Sequence, residues 1–369
     1  MSEARMQGTT TYAPKKKSLP ALENISFSAC GTAIEKIFRD YPVGKILFIS
    51  DSGSLGVFSA AVCSSRAVAV VLDGEDVLPL FTMPDGITCV AAAGKRETLL
   101  AARGFAAINR LSAVLFPQDA SLYGVFERET RLLTGGVRGR VCLEPAWIVC
   151  DPALLRPSLG RTLAGQYLSR LALFETRAIA FLTRREPTCI YEDAFRILDC
   201  MESGEEDIVR RSAALRVFEQ DGLPCGEGLT LADVLRLRGD TLPQWKAYLL
   251  LLSLYTAFLK RGKPRKYRIA DYSARFCFAG VGDAGYLAAQ IPTVEEYSKR
   301  AFALERSRGI LLRELNVLNA RRMQYLSRIR TYAAAVDIAD GCAVLKCLPE
   351  LKPDGLCALI RDFGLLEEL

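Results

Sequence analysis

The chain has 369 residues, 50% of them apolar and 24% charged, with a net charge of +6 and no histidine. That length suggests two domains, each burying its own core, and the composition excludes a largely disordered chain. Without imidazole, Ser-His and Cys-His nucleophile pairs, a histidine general base and histidine-bearing metal sites are all excluded. The modest positive balance suits an anionic small ligand such as a phosphate as well as a polymer.

Residues 1–20, MSEARMQGTTTYAPKKKSLP, are polar and end in Lys15, Lys16 and Lys17. They lack the apolar run of a signal peptide and are expected to fray. The 12 cysteines are spread along the chain without a C-x-x-C pair, several in apolar surroundings such as Cys89 and Cys150. They read as buried free thiols of a reducing compartment, hence a cytoplasmic location.

From there to Asp151 the chain reads as an α/β domain, assigned to residues 21–151. Apolar runs rich in β-branched residues, GKILFIS (44–50), AVAVVL (67–72), GITCVAA (86–92) and SAVLF (112–116), predict strands buried on both faces. Helical stretches are expected between them, over 32–41, 56–63 and 95–110, the last presenting Leu99, Leu100, Ala102 and Phe105 on one face. Such alternation implies an open, mostly parallel, Rossmann-like sheet. Gly135 and Gly136, between ERETRLLT and VRGRVCL, predict a tight hairpin, and AWIVCD (146–151) predicts a last strand ending at Asp151 and Pro152.

Beyond Pro152 nearly every window has helical period, punctuated by glycine and proline, so residues 152–369 are expected to form an all-helical domain. The most apolar run, Ala247 to Leu259, is too short for a membrane span of roughly 20 residues and predicts a buried helix. A cleft between the two domains is the default ligand site.

Several landmarks follow one another over roughly residues 44–260. Asp51 closes the first long strand. Ala91-Ala92-Ala93-Gly94-Lys95-Arg96-Glu97-Thr98-Leu99-Leu100 stands between a strand and a helix, and Pro117-Gln118-Asp119-Ala120-Ser121-Leu122-Tyr123-Gly124 follows the next strand. Then come Pro145-Ala146-Trp147-Ile148-Val149-Cys150-Asp151-Pro152-Ala153-Leu154-Leu155 and Gly165-Gln166-Tyr167-Leu168-Ser169-Arg170.

This series resembles the dehydroquinate synthase and iron-containing alcohol dehydrogenase superfamily, most of all its sn-glycerol-1-phosphate dehydrogenase branch. The family's patterns at the second, third, fourth and fifth landmarks are G-G-G-S-x-x-D-x-x-K, P-T-x-x-S-x-x-G, P-x-x-v-i-x-D-x-x-l-L and G-D-x-x-A-K. The resemblance implies NAD or NADP held by Asp51, Gly94, Lys95, Glu97, Pro117 and Ser121. It also implies a divalent metal held by one Asp and two His, whose positions fall here on Gln166, Gly228 and Leu242. An amide, a hydrogen and an aliphatic chain cannot replace those ligands, so the family's metal site reads as lost. Alanine side chains at 91–93 are expected to crowd the phosphate turn and weaken nucleotide binding.

Lys95 and Arg96 add positive charge at the same helix start, and Glu97 stands where the family has its Asp. Arg170, Glu227 and Lys246 are the candidates for a rebuilt catalytic site, since Lys or Arg stabilises an oxyanion and Glu moves a proton. Six basic residues within 260–268 suit a loop after a helix C-terminus better than a nucleic-acid site.

The leading reading is a degenerate dehydrogenase-like protein without the metal or the family reaction, binding a nucleotide or phosphorylated small molecule in its cleft. Two alternatives stay open. One is an active, metal-independent NAD(P)-linked reductase of a phosphorylated polyol or ketone. The other is a non-catalytic interaction protein using the loop 260–268. The resemblance implies homo-oligomers, on which the chain itself is silent.

Overall fold

A computed structural model describes residues 22–73, 76–184, 190–199, 204–223, 226–268, 291–333, 342–364 and 366. The frayed start expected for residues 1–20 lies outside the described residues. The expected α/β plus all-helical class is what the chain adopts: a six-stranded parallel sheet, then helices from Pro152 onward.

The strands are β1 (Ile25–Phe27), β2 (Lys45–Ser50), β3 (Ala67–Val71), β4 (Ile87–Gly94), β5 (Ser112–Pro117) and β8 (Trp147–Cys150), in the order β1-β8-β5-β4-β2-β3. All neighbours in that sheet are parallel. The hairpin β6 (Glu129–Thr134) and β7 (Val137–Cys142) forms a separate antiparallel pair. Gly135 and Gly136 turn it with φ of 56° and 85°, a conformation a side chain would oppose.

Alternate residues of the central strands feed two cores, which is why their sequences are apolar throughout. Leu47, Ile49, Val90, Ala92 and Leu115 pack with Leu99 and Phe105 of α2 (Arg96–Asn109). On the opposite face Ile46, Phe48, Ala91, Ala93 and Phe116 pack with Ile34 and Ile37 of α1 (Cys30–Asp40). Phe58 fills the centre of that second core, with ring centroids 4.9 Å from Phe48 and 5.3 Å from Phe116.

Two local expectations change. The helix expected over 56–63 is instead a 3₁₀ segment, Ser52–Phe58, in a stretch whose Gly53 and Gly56 disfavour a regular α-helix. The alanines expected in the phosphate turn belong to β4: Ala91, Ala92 and Ala93 are fully buried and paired with both β2 and β5. Their methyl groups fill the two sheet cores and do not crowd the turn, which consists of Gly94 and Lys95. Strand β1 went unread, being three residues with two of them polar or aromatic at an edge position.

The helical part begins with α3 (Pro152–Leu155), where Asp151 caps the helix by accepting the Ala153 N–H at 2.9 Å. It continues with α4 (Leu159–Thr183), α5 (Ile190–Asp199), α6 (Glu205–Gln220), α7 (Glu227–Leu237) and α8 (Pro243–Arg261). A long helix, Val294–Ala333, and two further helices, Cys342–Leu351 and Leu356–Asp362, follow. Helix α8, built on the apolar run 247–259, lies in the core of this part with Tyr248, Leu251, Leu252 and Tyr255 almost wholly buried. Val209 and Ala213 of α6 join the sheet core, so the two parts share packing. Among the described residues no helix is long and apolar enough to cross a membrane. Among the described residues Cys30, Cys63, Cys89, Cys142, Cys150, Cys347 and Cys357 are free thiols.

Candidate functional site

A cleft of about 740 Å³ opens between the carboxyl ends of β4 and β5 and the helical part. In parallel sheets these strand ends, and the helix starts that follow them, are where ligands are held. Its sheet-side wall is Lys95, at the turn from β4 into α2, with Asp119, Ser121 and Tyr123 from the loop after β5. Its helical wall comes from Arg161, Thr162 and Gln166 of α4, Ser212 and Arg216 of α6, and Leu229, Ala232, Asp233 and Arg236 of α7. Asp240, Thr241, Pro243 and Gln244, around the start of α8, close it.

Most of the charged groups in the cleft are paired. Arg161 bonds Asp119 across the two walls. Arg236 pairs with Asp233 at 2.8 Å. Arg216 bonds Glu219 at 2.5 Å and lies with its guanidinium 4.0 Å from the Tyr123 ring centroid. Among the described residues Lys95 has no acidic partner. No side chain caps the first turn of α2, so its N–H groups add to the positive potential beside that ammonium.

The sequence-predicted cofactor residues divide. Lys95 and Ser121 line the cleft. Asp51 is buried and engaged, its Oδ2 accepting the Lys95 N–H at 2.9 Å and its Oδ1 accepting the Ser54 hydroxyl at 2.5 Å. A Cβ at Gly94, whose φ is +151°, would lie 2.6 Å from Asp51 Oδ2. Asp51 therefore holds the turn from within, with both oxygens already occupied. Pro117 pairs with Gly94 at the end of β5 and is buried, whereas Glu97 is exposed in the first turn of α2.

The catalytic candidates do not converge, and none of them is among the residues lining the cleft. Arg170 is buried against Glu314 of the long helix at 3.3 Å, with its guanidinium 4.0 Å from the Phe195 ring centroid. Glu227 is wholly buried with Glu175 and Tyr255. Lys246 reaches toward the cleft only to bond Asp240 at 2.9 Å. The loop 260–268 runs on from α8, tied through the Arg265 N–H to the Phe363 carbonyl at 3.0 Å and through the Tyr267 hydroxyl to the Pro292 carbonyl at 2.8 Å.

The three positions matched to metal ligands do not meet either. Gln166 faces the cleft. Gly228 turns toward the bundle, where an added Cβ would lie 2.5 Å from Leu168 Cδ2. Leu242, between the cleft residues Thr241 and Pro243, packs on the helical core. Gly228 and Leu242 are thus not among the residues lining the cleft, whose α7 side chains are Leu229, Ala232, Asp233 and Arg236.

Around Gln166 the donors leave no place for a divalent cation. Its Nε2 donates to the Ile208 carbonyl at 2.7 Å and the Ser212 hydroxyl at 2.9 Å, and its Oε1 accepts from Arg211 Nε at 3.1 Å. The single oxygen able to ligate already faces a guanidinium, which would repel a metal ion. Among the described residues no group of three His, Cys, Asp or Glu is placed to hold one. Gln166, Gly228 and Leu242, as placed here, do not together offer a ligand set for a divalent ion. Sequence reasoning missed the Arg211–Gln166–Ser212 network, because partners 42 to 46 positions apart carry no local spacing signal.

No protein-family profile matches the chain, and no curated protein sequence does. Solved structures similar to it include a probable glycerol dehydrogenase from Sinorhizobium meliloti 1021, at 16% identity over 80% of this chain and 96% of that one, with a TM-score of 0.41. Maleylacetate reductase from Rhizobium sp. strain MTP-10005 is also 16% identical, over 76% and 95% of the two chains, with a TM-score of 0.41. Glycerol dehydrogenase from Schizosaccharomyces pombe is 12% identical, over 83% and 91%, with a TM-score of 0.40.

Proposed function

We propose that the cleft binds an anionic small molecule, a nucleotide or a phosphorylated metabolite, without a metal ion, on a dehydrogenase-like scaffold that no longer runs metal-dependent hydride transfer. One observation carries this reading: the Lys95 ammonium, without an acidic partner among the described residues, stands in the cleft at the start of α2. A phosphate placed there gains a charge-assisted bond from the ammonium and the dipole of the first helical turn.

The helical wall supports the second half of the proposal. Gln166 spends all three of its bonds on Ile208, Ser212 and Arg211, so the position matched to the family's Asp serves as a strut between α4 and α6. The positive charge near it is Arg211, a fixed cation that neither exchanges nor polarises a substrate oxygen as a Lewis acid does. NAD and NADP remain within the proposed ligand class, with a weaker hold than a turn whose N–H groups are all free for pyrophosphate, because Asp51 already takes the Lys95 N–H.

Calorimetric titration with NADH, NADPH and ADP, in chelator and again with zinc, tests the proposal. Binding of equal strength in both conditions, weakened in Lys95→Ala, is expected. Binding that requires zinc would refute it, and no binding of any of the three would shift the reading to an interaction role for the loop 260–268.

A further inference from the structure

The helical part holds a second buried polar cluster, separate from the cleft. Glu175 of α4 is 4% exposed and Glu227 of α7 is 0% exposed. The phenol oxygen of Tyr255, on α8, lies 2.9 Å from Glu175 Oε1 and 2.5 Å from Glu227 Oε2. Glu175 Oε2 accepts the Glu227 N–H at 2.8 Å. Both oxygens of Glu227 accept the N–H of Cys357, at 2.9 and 3.1 Å, in the first turn of the helix Leu356–Asp362. The preceding residue on that side is Gly355, where a Cβ would fall 1.9 Å from Glu227 Oε1, so only a bare backbone comes this close.

Counting protons decides the state of this cluster. A phenol has one proton and satisfies one carboxylate. The second short oxygen–oxygen contact needs another proton, or two sets of lone pairs would face each other in the dry interior. Glu227 receives the Cys357 N–H on both oxygens and sits closest to the phenol, so it is the anion. One arrangement satisfies both contacts: Glu175 protonated on Oε1 and donating to the Tyr255 oxygen, with Tyr255 donating in turn to Glu227.

We propose that Glu175, Tyr255 and Glu227 form a one-proton latch that fastens the helix Leu356–Asp362 to the bundle, so that docking this helix takes up one proton from solvent. Glu227 thus joins the C-terminal helix to α4 and α8 through a residue 130 positions away in sequence.

The groups facing the cluster agree with this state. Burial, and then the charge of Glu227, raise the Glu175 carboxyl from 4.5 to about 8. Burial also raises Glu227, opposed by its bonds from Tyr255 and Cys357. The Tyr255 phenol and the Cys357 thiol are both pushed well above their ordinary values, chiefly by burial, and stay protonated. Lys352, between the last two helices, is a cation whose field lowers both carboxyls. Because the folded value of Glu175 is raised, its stabilisation is complete below about pH 4.5 and is lost as the pH climbs through about 8. In the proposed latch, undocking lets water reach the cluster and returns Glu175 to its ordinary carboxylate value, so across that window the docked-to-undocked ratio falls by about tenfold per pH unit.

Amide hydrogen exchange of the full chain, read by mass spectrometry on a peptide spanning 356–363 and corrected for the intrinsic pH dependence, tests the latch. Protection in the wild type should fall by about 100-fold from pH 5.5 to 7.5. Glu175→Gln keeps every contact, its amide N–H replacing the acid proton and its oxygen accepting the Glu227 N–H, and its protection should stay level. A level wild-type profile, or an equal fall in Glu175→Gln, would overturn the proposal. Infrared spectroscopy of the wild type does not depend on how the variant folds. The carbonyl band of a buried protonated carboxyl is expected at pH 6 and gone above about pH 9; its absence at pH 6 would equally overturn the latch.

Discussion

The two walls of the cleft differ in how they are built. The sheet wall keeps strand ends, a tight turn and a helix start aimed at one point, with Lys95 and Ser121 at the cleft and Asp51 bracing the turn from behind. The helical wall is largely paired: Gln166, Arg211 and Ser212 bond one another, Arg236 pairs with Asp233, Lys246 with Asp240, and Arg161 reaches across to Asp119. One wall offers unspent positive charge and the other spends its polar groups on its own architecture. The comparison teaches that the two walls of one cleft can differ in how much charge they leave without a partner.

The largest expected effect belongs to the helical wall. Gln166→Leu would remove the acceptor of Arg211 Nε and the donor to the Ser212 hydroxyl in a site where Gln166 is 2% exposed. A loss of about 3 kcal/mol in unfolding free energy is expected in urea denaturation, since buried groups left unpaired cost their desolvation. If Gln166 were a vacant ligand position with no structural work, the variant would be neutral.

Next in size is Gly228→His, which would drive its Cβ to within 2.5 Å of Leu168 Cδ2. Overpacking of this kind costs about 2 kcal/mol, and no zinc affinity should appear even when Gln166→Asp and Leu242→His are added. Zinc binding by the triple variant, read by equilibrium dialysis, would mean that α7 is turned differently from its position here.

A smaller effect is expected on the sheet wall, and on affinity instead of stability. Lys95→Ala should weaken ADP binding by about tenfold, the equivalent of about 1.4 kcal/mol, with the thermal midpoint unchanged. Smallest of all is Glu97→Gln. This carboxylate is exposed in the first turn of α2, and its neutralisation should move stability by less than about 0.5 kcal/mol and leave ADP binding intact.

The same contrast explains what could be read from the sequence. Strands β2, β4, β5 and β8 announce themselves as continuous apolar runs, because a parallel strand covered on both faces has no polar positions to spare. Ser121 lines the cleft from the loop after β5, whereas Pro117 is buried at the end of that strand. Helix positions are less forgiving, since an offset of one residue turns a side chain by about 100° around the axis. On α7, Leu229 lines the cleft whereas its neighbour Gly228 does not. Ala91 and Ala92 belong to the run 86–92 that predicts a strand, while the resemblance put Ala91 to Ala93 in the turn; β4 pairs with β2 as far as Ala93 and with β5 as far as Gly94. The buried Glu175–Tyr255–Glu227 cluster left no trace in local spacing, being assembled from three helices and a fourth backbone.

The claim that one anion-attracting wall and one structural wall enclose a metal-independent site is tested most directly by hydrogen exchange with and without ADP in the presence of a chelator. Slower exchange on ADP addition is expected together in peptides covering the start of α2 around Lys95 and the facing segments of α4 and α6 around Gln166 and Arg216. Protection confined to the loop 260–268, or protection at the cleft only after zinc is restored, would contradict it.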